Sequence, residues 1–190
     1  VFDGSVIAGT RAKKDRTKSY NAFSSINFPY IAAIQDEHVI FYLDDKDLYE
    51  RNVRFFHSMN PNVGLLKLIP SMDAGLLNYM AEHYDGVIIE SFGVGGLPSY
   101  ESGDFRQAIN KWISMGKTVV MTTQVPHEGS NMSVYEVGRQ IKQEFGLLEA
   151  YDMTLEASVT KLMWILGQTT DPRQVRNLFY QTINRDILWR

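Results

Sequence analysis

Val63-Gly64-Leu65-Leu66-Lys67-Leu68-Ile69, Gly86-Val87-Ile88-Ile89 and Thr118-Val119-Val120-Met121-Thr122 are three apolar runs of strand length, and what lies between them decides the fold. Pro70 stops the first run, and Ser71 stands where it can cap a helix with Leu76, Leu77, Met80 and Ala81 on one face. Between the second and third runs, a helix through Phe105, Ala108, Ile109, Trp112 and Ile113 ends at Gly116. Val134 to Phe145 reads as another helix, ended by Gly146. Strands that are apolar throughout are buried on both faces, and helices between them make parallel crossovers. The expectation is an α/β fold with a parallel sheet flanked by helices, Rossmann-like or flavodoxin-like. Two further helices close the chain. Asp152 is placed to cap one, with Ala157, Leu162, Ile165 and Leu166 inside and Gly167 at its end. Asp171-Pro172 opens the last, with Val175, Leu178 and Phe179 inside.

Upstream of this domain the pattern differs. Val1 to Ala8 reads as a strand with an Asp3-Gly4 turn, one that needs a partner further upstream. Gly9 to Pro29 carries five basic residues (Arg11, Lys13, Lys14, Arg16, Lys18) against Asp15, followed by Ala22-Phe23-Ser24-Ser25-Ile26-Asn27-Phe28-Pro29. The cluster reads as a solvated charge run, a phosphate-binding patch, or a loop holding a proton-transferring lysine, and composition does not choose among them. Residues 35–60 look like a linker, with a short strand at Val39–Leu43, an acidic turn at Asp44-Asp45-Lys46-Asp47 and a close at Asn60-Pro61-Asn62.

The 190-residue chain carries a net charge of -3 and is 44% hydrophobic, ordinary values for a globular protein with a core and unfavourable to nucleic-acid binding. It has no cysteine, which removes disulfides and thiolate metal sites and fits a reducing compartment. No apolar run approaches the roughly 18 residues of a membrane span, and no signal peptide is visible. His38, His57, His83 and His127 lack metal-ligand spacing, and no metal site is expected. The methionines and tryptophans read as core. Ligands of open α/β sheets bind beyond the carboxyl ends of the strands. Two stretches stand there: Glu90-Ser91-Phe92-Gly93-Val94-Gly95-Gly96-Leu97-Pro98, and Thr122-Thr123-Gln124-Val125-Pro126-His127-Glu128-Gly129. The first is a tight turn or a close backbone approach. It is not a dinucleotide fingerprint, because Pro98 stands three after Gly95. The second offers hydroxyls and an amide to a small polar ligand or to local backbone.

Gly9-x-Arg11-x-x-Lys14, followed by Ala22-Phe23-x-Ser25-x-Asn27-x-Pro29, resembles the segment that carries the catalytic lysine of bacterial-type L-asparaginases. The resemblance continues through Phe92 to Pro98, Thr123-Gln124, Tyr135-Glu136-Val137-Gly138-Arg139, Asp152-Met153-Thr154-x-Glu156-Ala157 and Thr160-Lys161-Leu162-Met163. It is closer to the cytoplasmic type I enzymes than to the secreted type II. It implies that residues 1–34 are the tail, with the last strands, of an amino-terminal catalytic domain, 35–60 an interdomain linker and 61–190 the carboxy-terminal asparaginase domain. It implies Lys14 as the catalytic lysine, with Gly9 and Arg11 framing its loop. Glu136, with Gly95 and Gly96 on the same edge, is implied to bind the substrate's amino group in a neighbouring subunit. The implied substrate is L-asparagine, the implied assembly a homodimer or tetramer in the cytoplasm, and no cofactor is called for. In this family a threonine hydroxyl attacks the side-chain amide, ammonia leaves, and water hydrolyses the acyl-enzyme, while a second threonine, an aspartate and the lysine handle protons. Neither Thr-Gly-Gly-Thr nor His-Gly-Thr-Asp, the family's threonine motifs, occurs in the chain. The expectation is a carboxy-terminal half that keeps Lys14, lacks the nucleophile and needs the missing amino-terminal half. Some cytoplasmic members bind regulatory asparagine with an arginine where Glu90 stands and an asparagine where Gly96 stands, so that regulation is not expected here. Two alternatives remain. One is the ammonia-releasing component of the archaeal-type amidotransferase for making Gln-tRNA; the other is a non-catalytic domain for ligand binding or assembly.

Overall fold

The computed structural model describes residues 1–43, 53–98 and 104–189. The acidic turn expected at Asp44-Asp45-Lys46-Asp47 lies outside the described residues. The amino-terminal part is built from short antiparallel strands: β1 (Ser5–Val6), β2 (Ala12–Lys14), β3 (Phe23–Ser25), β4 (Ala32–Gln35) and β5 (His38–Phe41). They make a three-stranded sheet in the order β1-β4-β5 and a β2-β3 hairpin. The strand expected over Val1–Ala8 is therefore broken. Asp3 and Gly4 turn with positive φ so that Phe2 bridges Ser5, and Ser5–Val6 finds its partner downstream, in β4.

From Val63 the expected alternation is present: β6 (Val63–Lys67), α1 (Gly75–His83), β7 (Gly86–Ser91), α2 (Asp104–Ser114), β8 (Thr118–Thr123), α3 (Glu136–Phe145), β9 (Leu148–Glu149), α4 (Leu155–Gln168) and α5 (Pro172–Tyr180). The four strands pair in parallel in the order β6-β7-β8-β9. Alternate residues of the central strands point to opposite faces. Val87, Ile89, Val119 and Met121 pack with Leu77, Met80, Ile109, Trp112 and Ile141 of α1 to α3. Ile88 and Val120 pack with Leu162, Ile165, Val175 and Phe179 of α4 and α5. Right-handed crossovers between strands laid down in order place successive helices on one face. The last two helices then cover the other face, and the sheet is sandwiched.

Local chemistry set several boundaries differently from expectation. Ser71 does not cap α1: it sits at φ +62, and Asp73 Oδ1 instead accepts the Gly75 amide at 2.6 Å. Leu76 is 49% exposed, off the buried face. A 3-10 turn at Met132–Val134 precedes α3, which begins at Glu136. Thr154, not Asp152, caps α4, its Oγ1 accepting from the Ala157 amide at 3.1 Å. Gly167 lies inside α4 rather than ending it, and it is a glycine for another reason: a Cβ there would sit 2.6 Å from the Ser58 oxygen of the passing backbone. Gly146 does cap α3 in the left-handed region, and Asp171 caps α5. Trp112, Met80, Met121, Met132 and Met153 are core, but Met59, Met115 and Trp189 are exposed.

One strand escaped the apolar pattern. β9 contains Glu149, which is fully buried. Its carboxylate takes Lys142 Nζ in an ion pair and the Met132 amide at 2.7 Å. Lys142 also donates to the Tyr151 hydroxyl at 2.7 Å, and the Glu149 amide donates to the Tyr180 hydroxyl at 3.0 Å. Burial would lower the Lys142 pKa, but its bonds to Glu149 and Tyr151 outweigh that and raise it. Burial raises the Tyr180 phenol. Each group holds its proton longer folded than unfolded, so each contribution is complete below the unfolded pKa and is lost as pH rises through the folded one. Stability is expected to fall from about pH 10 upward, where unfolded Tyr and Lys titrate. Urea midpoints between pH 8 and 11 measure this, and a flat profile would contradict it.

Candidate functional site

The hairpin β2-β3 stands beside the carboxyl ends of the parallel strands. Its register sets Ala12 against Ser25, Lys13 against Ser24 and Lys14 against Phe23. Because a strand turns successive side chains to opposite sides, the adjacent lysines part company. Lys13 lines a narrow cleft with Glu90, Thr122, Thr123, Gln124 and Thr154, at the ends of β7 and β8 and the head of α4. Lys14 stands on the outer side, exposed, with Nζ 5.7 Å from the centroid of the Phe23 ring. A proton-transferring lysine is expected to be buried beside a carboxylate. Among the described residues, no carboxylate pairs with Lys14. Nearby Asp15 is occupied by the Ser24 hydroxyl.

The base of the hairpin is the opposite of its tip. Arg11 is fully buried. It donates from Nε to the Arg185 carbonyl at 2.6 Å, from Nη1 to the Asp152 carbonyl at 2.6 Å and from Nη2 to Asp152 Oδ2 at 2.7 Å. This is why Asp152 is absent from the α4 cap: a charge buried across the fold claims its carboxylate. In sequence Asp152 looks like any helix-opening acid, and its partner lies 141 residues away.

The ends of β7 and β8 are saturated by their own polar groups. Thr123 donates to the Gly93 carbonyl, and Gln124 Nε2 to the carbonyls of Leu68 at 2.6 Å and Glu90 at 3.0 Å. The hydroxyl and amide of Thr123 and Gln124 thus serve local backbone. Glu90 is buried, with Lys67 Nζ at 3.9 Å. The glycine loop is a closed turn in which the amides of Gly95 and Gly96 both donate to the Phe92 carbonyl, at 2.9 and 2.7 Å. Gly95 lies at φ +141, and a Cβ there would sit 2.8 Å from Met132 Cγ. That backbone region is essentially restricted to glycine. Gly138 approaches the same methionine, so the glycine loop and the first turns of α3 meet around Met132. Glu136 opens α3 with its side chain exposed, paired with Arg139 and accepting from Gln140 Nε2 at 2.9 Å. The glycine loop thus meets at Met132 the helix that Glu136 opens, while among the described residues the Glu136 side chain itself reaches only Arg139 and Gln140; Lys14 is on a separate element. Lys13 and Asp152 were not singled out by sequence as site residues. Strand alternation was the available signal for Lys13; for Asp152 the signal was its place at the head of the Asp152-Met153-Thr154 motif, which assigned it no role. Among the described residues no group of three or more His, Asp and Glu side chains could hold a metal ion, and no helix is long and apolar enough to cross a membrane.

The family model for the glutaminase/asparaginase C-terminal domain matches residues 62–179, and that for the asparaginase N-terminal domain matches residues 1–47. The chain is 34% identical over 187 residues to an L-asparaginase of Thermococcus kodakarensis, covering 98% of this chain and 56% of that protein. It is 33% identical over 173 residues to a glutamyl-tRNA(Gln) amidotransferase component of Pyrococcus furiosus, covering 90% of this chain and 38% of that one. The solved thermostable L-asparaginase of T. kodakarensis superposes with a TM-score of 0.90, over all of this chain and 56% of its own. L-asparaginase I of Vibrio cholerae, 21% identical, shares the fold with a TM-score of 0.84. The chain spans about half the length of these asparaginases.

Proposed function

The chain belongs to the asparaginase family, and from that premise we propose that it is the carboxy-terminal half of a cytoplasmic L-asparaginase, hydrolysing L-asparagine to L-aspartate and ammonia. The observation that carries the reading is the position of Lys14. It stands at the end of a strand whose base is locked by a buried arginine, on a side that this chain leaves uncovered. A lysine so placed is oriented and accessible, and awaits the partners that a proton transfer requires. In the proposed mechanism the family's amino-terminal part supplies the threonine nucleophile, the second threonine and the aspartate. The nucleophile attacks the side-chain amide carbon, ammonia departs, and water releases aspartate from the acyl-enzyme. Lys14 acts beside them as the cation of the proton relay. Glu136, with the Gly95-Gly96 turn beside it, binds the substrate's ammonium in a neighbouring subunit of a homodimer or tetramer. Its exposure on α3 and its negative charge suit that task. Residues 1–34 belong to the catalytic domain, 35–60 to the linker and 61–190 to the carboxy-terminal domain. No cofactor enters this chemistry.

These 190 residues by themselves are expected to release no ammonia from L-asparagine, because no threonine motif of the family is present. Coupled detection of ammonia with the pure chain checks this, and turnover above a buffer blank would overturn the half-enzyme reading. A second reading, the ammonia-releasing component of a Glu-tRNA(Gln) amidotransferase, is favoured by the 33% identity to the P. furiosus protein. Ammonia release coupled to Glu-tRNA(Gln) in the assembled protein would select it.

A further inference from the structure

Asp152 is the meeting point of four segments. Its carboxylate takes Arg11 Nη2 and, from the carboxy-terminal tail, the amides of Leu188 at 3.2 Å and Trp189 at 3.2 Å. Its carbonyl accepts from Arg11 Nη1 at 2.6 Å and from Asn27 Nδ2 at 3.2 Å. Arg11 precedes β2 and Asn27 follows β3, so both feet of the Lys14 hairpin stand on this one residue. The tail closes over the same place, for Thr10 Oγ1 donates to the Asn184 carbonyl at 2.5 Å and Arg11 Nε to that of Arg185. Thr154, the α4 cap, donates to the Thr10 carbonyl at 3.2 Å. The tip of the hairpin, residues 14–21, is exposed. The direction in which Lys14 leaves the protein is thus set at the feet.

We infer that Asp152 is a positioning residue for Lys14, fastening the hairpin through Arg11 to the parallel sheet and to the carboxy-terminal tail, which acts as the clamp. The inference rests on the reading of Lys14 as the catalytic lysine and deepens it. Asp152 touches no reacting atom. Its effect is geometric: a displacement of about 1 Å at a catalytic group is enough to cost roughly a hundredfold in rate.

The test uses Asp152→Asn, which keeps the shape and the carbonyl contacts and removes the charge that Arg11 requires. Hydrogen exchange of the chain is expected to quicken about tenfold at the β2 and β3 amides, a local opening that leaves β7 and β8 unchanged. In the chain joined to the family's amino-terminal part, kcat is expected to fall about a hundredfold with KM within about twofold, a split that general loss of structure does not produce. Thr10→Val, which removes only the bond to Asn184, gives a milder variant if Asp152→Asn does not fold. It is expected to quicken exchange in the hairpin alone. Unchanged hairpin exchange in a folded variant would overturn the clamp. Quickened exchange with unchanged turnover would overturn the positioning role of Asp152, and Lys14→Ala then tells whether the lysine itself takes part.

Discussion

Lys14→Ala, in the chain joined to the amino-terminal part of the family fold, is expected to lower turnover of L-asparagine by about a thousandfold, the range of a lost proton-transfer group. In the 190-residue chain by itself its effect on stability should be small. The side chain is exposed, and its contact with the Phe23 ring at 5.7 Å is a surface cation–π pair worth about 0.5–1 kcal/mol. That contrast makes the experiment decisive, since the variant folds and a loss of rate reports chemistry alone. Lys13→Ala is the control. It removes the same charge one residue earlier, from the side facing the Glu90 cleft, and is expected to cost less than about tenfold, because that side is not the reacting one. Turnover and thermal midpoint measured on both variants separate the possibilities. Full activity in Lys14→Ala would exclude the lysine and favour a binding or assembly role for this domain.

The sheet was legible because its central strands are apolar on both faces, a pattern that only burial between two layers rewards. Val87, Ile88 and Ile89 are fully buried with successive side chains in opposite layers, as their uninterrupted run requires. β9 was not legible, because two residues, one of them a glutamate, do not resemble a strand. Glu149 is tolerated inside only because Lys142 and the Met132 amide reach it, and sequence shows none of that. The caps divide in the same way. Asp171 caps α5, and among the described residues no distant group takes its carboxylate, while Asp152 has the same local appearance and is taken by Arg11. Gly146 ends a helix and Gly167 does not; the second glycine answers to the backbone at Ser58, over a hundred positions away in the chain, rather than to its own turn. Local chemistry was readable wherever nothing remote overrode it.

The candidate site shows the same division. Motif resemblance singled out Lys14, but among the described residues the expected burial beside a carboxylate is not found. Alternation within β2 sends Lys13 and Lys14 apart, so the basic run is not one patch but two faces with different neighbours. The hydroxyls at the end of β8 looked equally suited to a ligand or to backbone. Carbonyls of Gly93, Leu68 and Glu90 lie within reach, and satisfying buried backbone comes first.

The largest loss of stability is expected from Lys161→Ala. Lys161 Nζ lies 2.7 Å from Asp186 Oδ2 and 2.7 Å from the Gln181 carbonyl, and both side chains of the pair are only 4% exposed. The pair pins the carboxy-terminal tail to α4, for Asp186 Oδ1 also accepts the Ile183 amide at 2.7 Å. Removing one member leaves the other charge buried without its counterion, which costs about 3–5 kcal/mol, whereas replacing both with apolar groups of similar size is often far milder. In a domain of this size each kcal/mol moves the thermal midpoint by about 2–4 °C, so Lys161→Ala should lower it by roughly 10 °C. Asp186→Ala should do much the same. The double variant Lys161→Met, Asp186→Leu is expected to lose less than either, and that inequality tests whether the penalty is an orphaned charge rather than a lost attraction. Urea denaturation of the three variants measures it. Single variants within about 1 kcal/mol of the parent, the level of exposed ion pairs, would mean that water reaches the pair and that the tail is held by Ile187 and the Asp152 bonds instead.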